Sequence, residues 1–470
     1  MLQKQIIDKL TAIVGAEYVD YSDVGRLAYS YDSTPDFQAM PDVVVQPANT
    51  QEISEILKVC NEHKVPVIAR GNATNLSGGT TPLHGGLVLL FTRMNKILEI
   101  DQENLTATVQ PGVITLTMNT EVEKLGLFYP PDPGSMKTSH IGGNIAENSG
   151  GLRGLKYGVT RDYVMGLEVV MPNGDILRTG GKLAKDVAGY DLTRLMVGSE
   201  GTLGVITEAT LKLVPYPETK KTMLAIYQDI DSAGQAVSKI IANKIIPTTL
   251  EIMDQATLKV VEDYSKIGLP TDVQAVLLIE QDGPAEVVDR DMKKMEEICR
   301  NLNAVDVQVA KDNVEAEKLT QARRTALSAL ARLKPTTVLE DATVPRSEVA
   351  TMLKEIIRIA EKFNVNIATF GHAGDGNLHP TCPTDVRDKE EFHRVEQAFE
   401  EIFEVAISLG GTITGEHGVG AMKAPYLEWK MGPEGMLVMK AIKDAIDPNN
   451  IMNPGKMFAK ETKKRVVLSR

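Results

Sequence analysis

The chain has 470 residues, 43% hydrophobic and 24% charged, a mix that excludes disordered, collagenous and coiled-coil chains. Lys+Arg 51 against Asp+Glu 63 leaves a net charge of −12, which argues against a broad nucleic-acid surface. The cysteines, Cys60, Cys299 and Cys382, lie far apart. This excludes a disulfide framework, a Cys-rich zinc site and an iron–sulfur cluster held by this chain alone, and it fits a reducing, cytoplasmic setting.

No apolar run approaches the roughly 18–20 residues of a membrane span. Lys4, Asp8 and Lys9 interrupt what would be a signal core. Ile6, Ile7, Leu10 and Ile13 share a helical face, which predicts a helix over 3–14 within an N-terminal segment, 1–37. A strand over Asp42–Gln46, a helix over Thr50–His63 with Thr50 as its N-cap, and a strand over Val65–Ala69 read as a βαβ unit. Strands over Leu87–Phe91, Ile97–Asp101 and Thr106–Gln110 follow, then a helix starting near Thr115. Pro215-Tyr216-Pro217 marks a boundary, closing a domain over 38–216.

Beyond it glycines thin out and amphipathic helices appear over Ser232–Ala242, Glu286–Leu302, Val314–Leu333, Arg346–Phe363 and Asp388–Leu409. With strands at Ala275–Glu280 and Val365–His372 they predict an α+β domain over 217–425. A last segment, 426–470, carries a helix over Gly432–Ile446 and a basic run from Lys463 to Arg470, read as a solvated tail.

The 38 glycines are clustered, as expected where backbone turns sharply or approaches a ligand. Arg70-Gly71-Asn72-Ala73-Thr74-Asn75-Leu76-Ser77-Gly78-Gly79 follows a strand. It offers successive backbone N–H groups, the hydroxyls of Thr74 and Ser77 and a single cation, a donor set suited to a pyrophosphate. It is neither G-x-G-x-x-G nor a P-loop. Pro130-Pro131-Asp132-Pro133-Gly134-Ser135 leads into Ile141-Gly142-Gly143-Asn144-Ile145-Ala146-Glu147-Asn148-Ser149-Gly150-Gly151, a polar ribbon able to lie against a flat heteroaromatic group. Gly198-Ser199-Glu200-Gly201-Thr202-Leu203-Gly204 adds a third loop before Val205-Ile206. The loops together point to an extended nucleotide.

Gly371-His372-Ala373-Gly374-Asp375-Gly376-Asn377-Leu378-His379-Pro380 reads as a hairpin. Asp375-Gly376 as a two-residue turn sets His372 opposite His379, with Cβ atoms about 4.5–5.5 Å apart. Two imidazoles so placed can grip a metal ion, and Glu416 of Gly415-Glu416-His417-Gly418 can add a carboxylate. Two histidines and a carboxylate with open positions suit zinc or iron. The bland alternative is a pair of structural histidines.

The order of these motifs resembles the FAD-binding domain of the vanillyl-alcohol-oxidase superfamily. Within it the chain resembles the FAD-linked D-2-hydroxyacid dehydrogenases, which include D-lactate dehydrogenases and the flavin subunit of glycolate oxidase. The likeness runs from near residue 20 to near residue 460. It implies an α+β chain: a two-subdomain FAD-binding domain, an α+β substrate domain, and a C-terminal segment that returns to the FAD domain and brings Asn453 near the flavin. It implies an FAD cradle of Arg70, Gly71, Asn72, Thr74, Asn75, Ser77, Gly78, Pro131, Asp132, Ser135, Gly142, Gly143, Asn144, Asn148, Gly150, Gly151, Glu200, Gly201, Ile206 and Asn453. Many relatives carry glycine where this chain has Ala73. No histidine or cysteine clearly matches a covalent flavin linkage, His84 and His140 being the nearest, so noncovalent FAD is expected.

The same resemblance implies His372, His379 and Glu416 as ligands of a divalent metal, His417 as the base and Asn377 as a substrate contact. Arg323 matches the Arg of a Trp-x-x-Arg pattern, with Thr320 in place of the Trp. It would pair with a carboxylate. The implied reaction is oxidation of a D-2-hydroxyacid, D-lactate first, with glycolate or D-2-hydroxyglutarate as alternatives. A metallohydrolase on the same scaffold is the competing class. The chain lacks a second redox centre, so electrons would leave to a partner such as an electron-transfer flavoprotein or an iron–sulfur subunit.

Overall fold

A computed structural model describes residues 2–459, and the counts given are of those residues. The basic run Lys463–Arg470 lies outside them. The chain divides into two compact units. The first is Met1–Ser149, Val159–Tyr216 and Glu416–Arg470; the second is Gly150–Gly158 and Pro217–Gly415.

The first unit holds the expected βαβ element. Strands Val43–Val45 and Val67–Arg70 both pair in parallel with Leu87–Leu90, which lies between them. Parallel strands buried on both faces explain why all three read as unbroken apolar runs. The crossover helix is Thr50–His63, and its N-cap is Asn49, not Thr50: Glu52 N–H donates to Asn49 Oδ1 at 2.9 Å. Ile53, Ile56, Leu57 and Cys60 face the core, where they meet Ile6, Leu10 and Val14 of the N-terminal helix Lys4–Val14. A five-stranded antiparallel sheet follows, in the order Ile97–Asp101, Thr106–Val109, Val205–Lys212, Val164–Val170, Ile176–Gly180. Residues 2–37 and 416–459 are built into this same unit. The returning chain bonds directly, since Val67 N–H donates to Ile451 O at 2.7 Å.

The second unit is an eight-stranded antiparallel sheet covered on both faces. Its order runs Ala304–Val309, Thr219–Tyr227, Ala275–Gly283, Thr249–Asp254, Ala368–His372, Asn377–Thr384, Thr336–Leu339, with Ala342–Thr343 pairing on Asn377–Leu378. Helices Ile230–Ala242, Ala285–Asn301, Val349–Phe363 and Lys389–Ser408 bury Val237, Met292, Leu353 and Phe399 against one face. Helices Gln255–Ser265, Asn313–Arg324 and Ala326–Leu330 bury Leu258, Ala322 and Ala326 against the other. The single helix expected over 314–333 is thus two, separated at Thr325. The strands at 219–227, 249–254, 304–309 and 336–339 carry no expectation from sequence.

Candidate functional site in two parts

In the first unit the predicted loops converge. The loop after Val67–Arg70 is organised by Asp32, which the sequence reading missed. Its Oδ2 accepts from Asn75 Nδ2 at 2.8 Å and from Thr80 N–H and Thr81 Oγ1 at 3.3 Å. Arg70 is buried, with its guanidinium 5.6 Å from the Tyr29 ring centroid. Gly78 has φ +69°, and a Cβ there would stand 2.6 Å from the Phe37 ring. Ala73 holds φ +52°, the left-handed region where glycine costs least. Thr74 flanks it, half-buried. Asn72 Nδ2 reaches Thr138 O at 2.7 Å, which ties this loop to the turn at Pro131, Asp132 and Ser135.

The expected ribbon is instead a short helix, Ile141–Glu147; Gly142 touches Pro111, whereas Gly143 has nothing within 4 Å of its Cβ direction, so the helix is bare on that side. Asn144 is fixed on Thr115 Oγ1 at 2.6 Å, and Asn148 Oδ1 accepts Arg161 N–H at 2.9 Å. Asn453 Nδ2 donates to Gly79 O at 2.9 Å and to Glu200 O at 2.8 Å, tying the returning chain to two of the loops. Gly201 keeps φ +67° beside it, and Ile206 lies in the adjoining strand. Gly150 and Gly151 are set apart from these residues, in the second unit's segment Gly150–Gly158.

The chemistry of this cradle fits a flavin nucleotide. Ser77 Oγ, His140 Nδ1 and Asn453 Oδ1 are buried and meet no hydrogen-bonding partner among the described residues. Buried polar atoms are costly unless something satisfies them.

In the second unit the histidine hairpin forms with a different register. His372 pairs with Asn377 and Phe370 with His379, so the turn is the four residues Ala373–Gly376 rather than Asp375-Gly376 alone. Gly376 at φ +86° presses on Val344 O, which accounts for the glycine. A slip of two residues keeps every side chain on its face. His372 and His379 therefore remain neighbours, as a diagonal pair with ring centroids 5.1 Å apart and planes at 89°.

Helix Asn313–Arg324 covers the same sheet face and ends on Arg323, which is buried with its guanidinium 4.6 Å from the Phe370 ring. Glu251, another residue missed from sequence, joins the two features. Its Oε1 is 2.6 Å from His372 Nδ1 and its Oε2 is 2.6 Å from Arg323 Nη2. Burial pushes this carboxyl up, but the charges of His372 and Arg323 outweigh it and hold the group below the ordinary carboxylate range. Sequence offered only one signal for Glu251, an acid between Thr249 and Met253 on one face of a short strand. Arg323 Nε is buried and meets no hydrogen-bonding partner among the described residues.

Asn377 Oδ1 accepts from Thr343 Oγ1 at 3.0 Å, leaving its amide N–H₂ to donate. Asp341, fully buried and also missed, stands 4.0 Å from His379 Nδ1. It accepts Gly415 N–H at 2.7 Å and Thr414 Oγ1 at 2.8 Å, so it sets the chain that runs directly into Glu416 and His417. A histidine whose Nδ1 is fixed by a carboxylate presents Nε2 for a metal, and His372 has that arrangement. Thr320 does not open space beside Arg323 as a lost Trp would. It is buried and donates to Glu280 Oε1 at 2.9 Å.

Comparisons with known proteins agree with this division. Residues 41–180 match the FAD binding domain family and residues 216–457 match the C-terminal domain of FAD linked oxidases. The chain is 69% identical, over the full length of both chains, to glycolate oxidase subunit GlcD of Bacillus subtilis strain 168. It is 38% identical to GlcD of Escherichia coli K12, over 93% of this chain and 87% of that one. It is also 38% identical to D-lactate dehydrogenase of Anaerostipes hadrus, over 90% of each. In fold it resembles p-cresol methylhydroxylase (TM-score 0.79, 18% identity, 97% of this chain and 96% of that one). Alkyldihydroxyacetonephosphate synthase is a further fold neighbour (TM-score 0.77, 20% identity, 97% and 86%). Cradle, hairpin and matched domains together place the chain in the FAD-linked oxidases, as an FAD-dependent oxidoreductase of the glycolate oxidase and D-lactate dehydrogenase type.

Proposed function

We propose that this protein oxidises a small 2-hydroxycarboxylate to the 2-oxoacid, with glycolate as the first substrate and D-lactate as the second. One observation carries the reading: the buried Glu251 carboxylate joins Arg323 to the histidine hairpin, which puts an anion-binding guanidinium next to a pair of metal-type ligands. A 2-hydroxycarboxylate has its carboxylate and hydroxyl on adjacent carbons and needs those two kinds of group close together. Glycolate is ranked first because the 69% identical relative bears that name over its full length; the D-lactate reading draws on relatives at 38% and 36%.

In this reading Arg323 holds the substrate carboxylate, Asn377 donates its amide N–H to the substrate, and His417 Nε2 or Nδ1 takes the hydroxyl proton, which a neutral imidazole can do near pH 7. His372, His379 and Glu416 would hold a divalent ion of the zinc or iron type, which lowers the pKa of a hydroxyl it binds. FAD, held noncovalently by the loops of the first unit, supplies the hydride acceptor when bound. Electrons then leave to a partner subunit, electron-transfer flavoprotein or iron–sulfur in type, because the three cysteines are buried singly and offer no second redox centre.

The test is Arg323→Lys. A point charge in place of the bidentate fork, with Glu251 still to be paired, is expected to raise KM for glycolate and D-lactate by roughly 10–100-fold. An unchanged KM would remove Arg323 from the carboxylate site.

A further inference from the structure

Glu200 is an unusual residue. It is buried, its φ is +51°, and its side chain is spent on backbone: Oε1 accepts Val419 N–H at 2.7 Å and Oε2 accepts Gly420 N–H at 2.6 Å. Each amide donor meets its own oxygen, an arrangement a carboxylate supports at both positions and a side-chain amide, with its single carbonyl oxygen, does not. Its own backbone is tied down as well. Glu200 N–H donates to Ala146 O at 2.9 Å and Glu200 O accepts from Asn453 at 2.8 Å.

The next loop residue back is Gly418, at φ +84°. A Cβ there would collide with Glu147 Oε2 and stand 3.2 Å from Glu200 Oε1, so two carboxyl groups close on one α-carbon. Lys456 and Lys423, both buried, and Asp32 complete the charged groups around the pair. Burial, and then the charge of Glu200, hold the Glu147 carboxyl protonated well above the ordinary range. Burial also raises Glu200, and the Val419 and Gly420 N–H groups and the two lysines offset that rise only in part. Among the described residues Glu147 Oε2 is buried and meets no hydrogen-bonding partner, which a neutral carboxyl tolerates better than an ion.

We propose that Glu200 is the positioning residue of His417: its carboxyl group clamps the Val419–Gly420 backbone through both oxygens while Glu147 fills the space against Gly418, and together they fix the loop that carries Glu416 and His417. The proposal rests on the reading of His417 as the base. It also explains why the glycines at 418 and 420 are there. They admit the two carboxyl groups and Ser77, against which a Cβ at Gly420 would collide.

The experiment compares wild-type holoenzyme with Glu200→Gln, Glu147→Gln and His417→Ala by rapid flavin reduction across pH, using whichever of glycolate and D-lactate reduces the wild-type flavin. Glu200→Gln sets an amide against one of the two donors. It is expected to slow reduction roughly 10–100-fold at saturating substrate and to move the midpoint of the pH profile, with half-saturation unchanged. Glu147→Gln, an isostere of the neutral acid, is expected to stay within about twofold of wild type. A Glu200→Gln enzyme with the wild-type rate and pH midpoint, beside an inactive His417→Ala, would overturn the clamp. A Glu147→Gln enzyme as impaired as Glu200→Gln would overturn the space-filling role of Glu147. Amide hydrogen exchange in the wild type is read independently of the base assignment and of whether any variant folds: Val419 and Gly420 are expected to exchange as slowly as core strand amides, and rapid exchange at both would also refute the clamp.

Discussion

Glu251 shows how a single buried side chain can serve two functional groups. Fully buried as Glu251 is, an unpaired carboxylate would cost several kcal/mol. Here His372 and Arg323 both satisfy it, and it in turn fixes the tautomer of one and the direction of the other. Glu251→Gln keeps the shape but can no longer accept from both. Carboxylates behind metal-ligating histidines typically contribute 10–100-fold in affinity, so this variant is expected to lose bound divalent metal by about that factor. Metal analysis of the purified variant after dialysis against a weak chelator checks it; full retention would place His372 outside a metal site. Neither Glu251 nor Asp341 was legible in the sequence, because each is an ordinary acid in a strand or at its end with no motif around it. His372, His379 and Arg323 were legible because their spacing and composition are unusual.

At the scale of elements, the junction of helix Gln255–Ser265 with strand Ala368–His372 rests on one carboxyl. Asp254 accepts Thr257 N–H at 2.8 Å as the helix N-cap and Thr369 N–H at 2.7 Å from the strand. Burial pushes this acid up to about 6 in spite of those two donors. Its folded pKa thus lies above its unfolded value, so the folded protein binds the proton more tightly. The contribution is full below the unfolded pKa and is lost as pH rises from the unfolded value towards 6. Chemical denaturation is expected to show wild type losing more stability, or gaining less, across that window than Asp254→Asn. Equal pH dependence in the two would contradict it.

Element boundaries were legible where periodicity is strong. Ile97–Asp101 and the helix Thr50–His63 fall where the sequence places them. The strand Thr219–Tyr227 was not, because its partners on both sides come from residues 48 to 86 positions away and only the assembled sheet explains its apolar half. The hairpin turn was misread by two residues because Asp-Gly is a strong two-residue signal, whereas the close approach of Gly376 to Val344 O demands the longer loop.

For the whole molecule, the two matched families describe an FAD-dependent oxidoreductase, and the chain divides into two compact units. Among the described residues no helix is long and apolar enough to cross a membrane. The three cysteines are buried, and burial pushes the Cys60 and Cys382 thiols up to about 12, so none is poised as a nucleophile toward a flavin. Acid precipitation is therefore expected to leave the flavin in the supernatant, and flavin retained on the polypeptide would show a covalent link.

The central claim is hydride removal from a 2-hydroxycarboxylate, and anaerobic titration of the purified flavoprotein tests it most directly. Glycolate, D-lactate, L-lactate and a 2-hydroxy amide are added separately while the oxidised-flavin absorbance is followed. Bleaching by glycolate and by D-lactate, with none by the amide that lacks the carboxylate for Arg323, is the predicted result. A flavin that none of the hydroxyacids bleaches, or that the amide bleaches as readily, would contradict it.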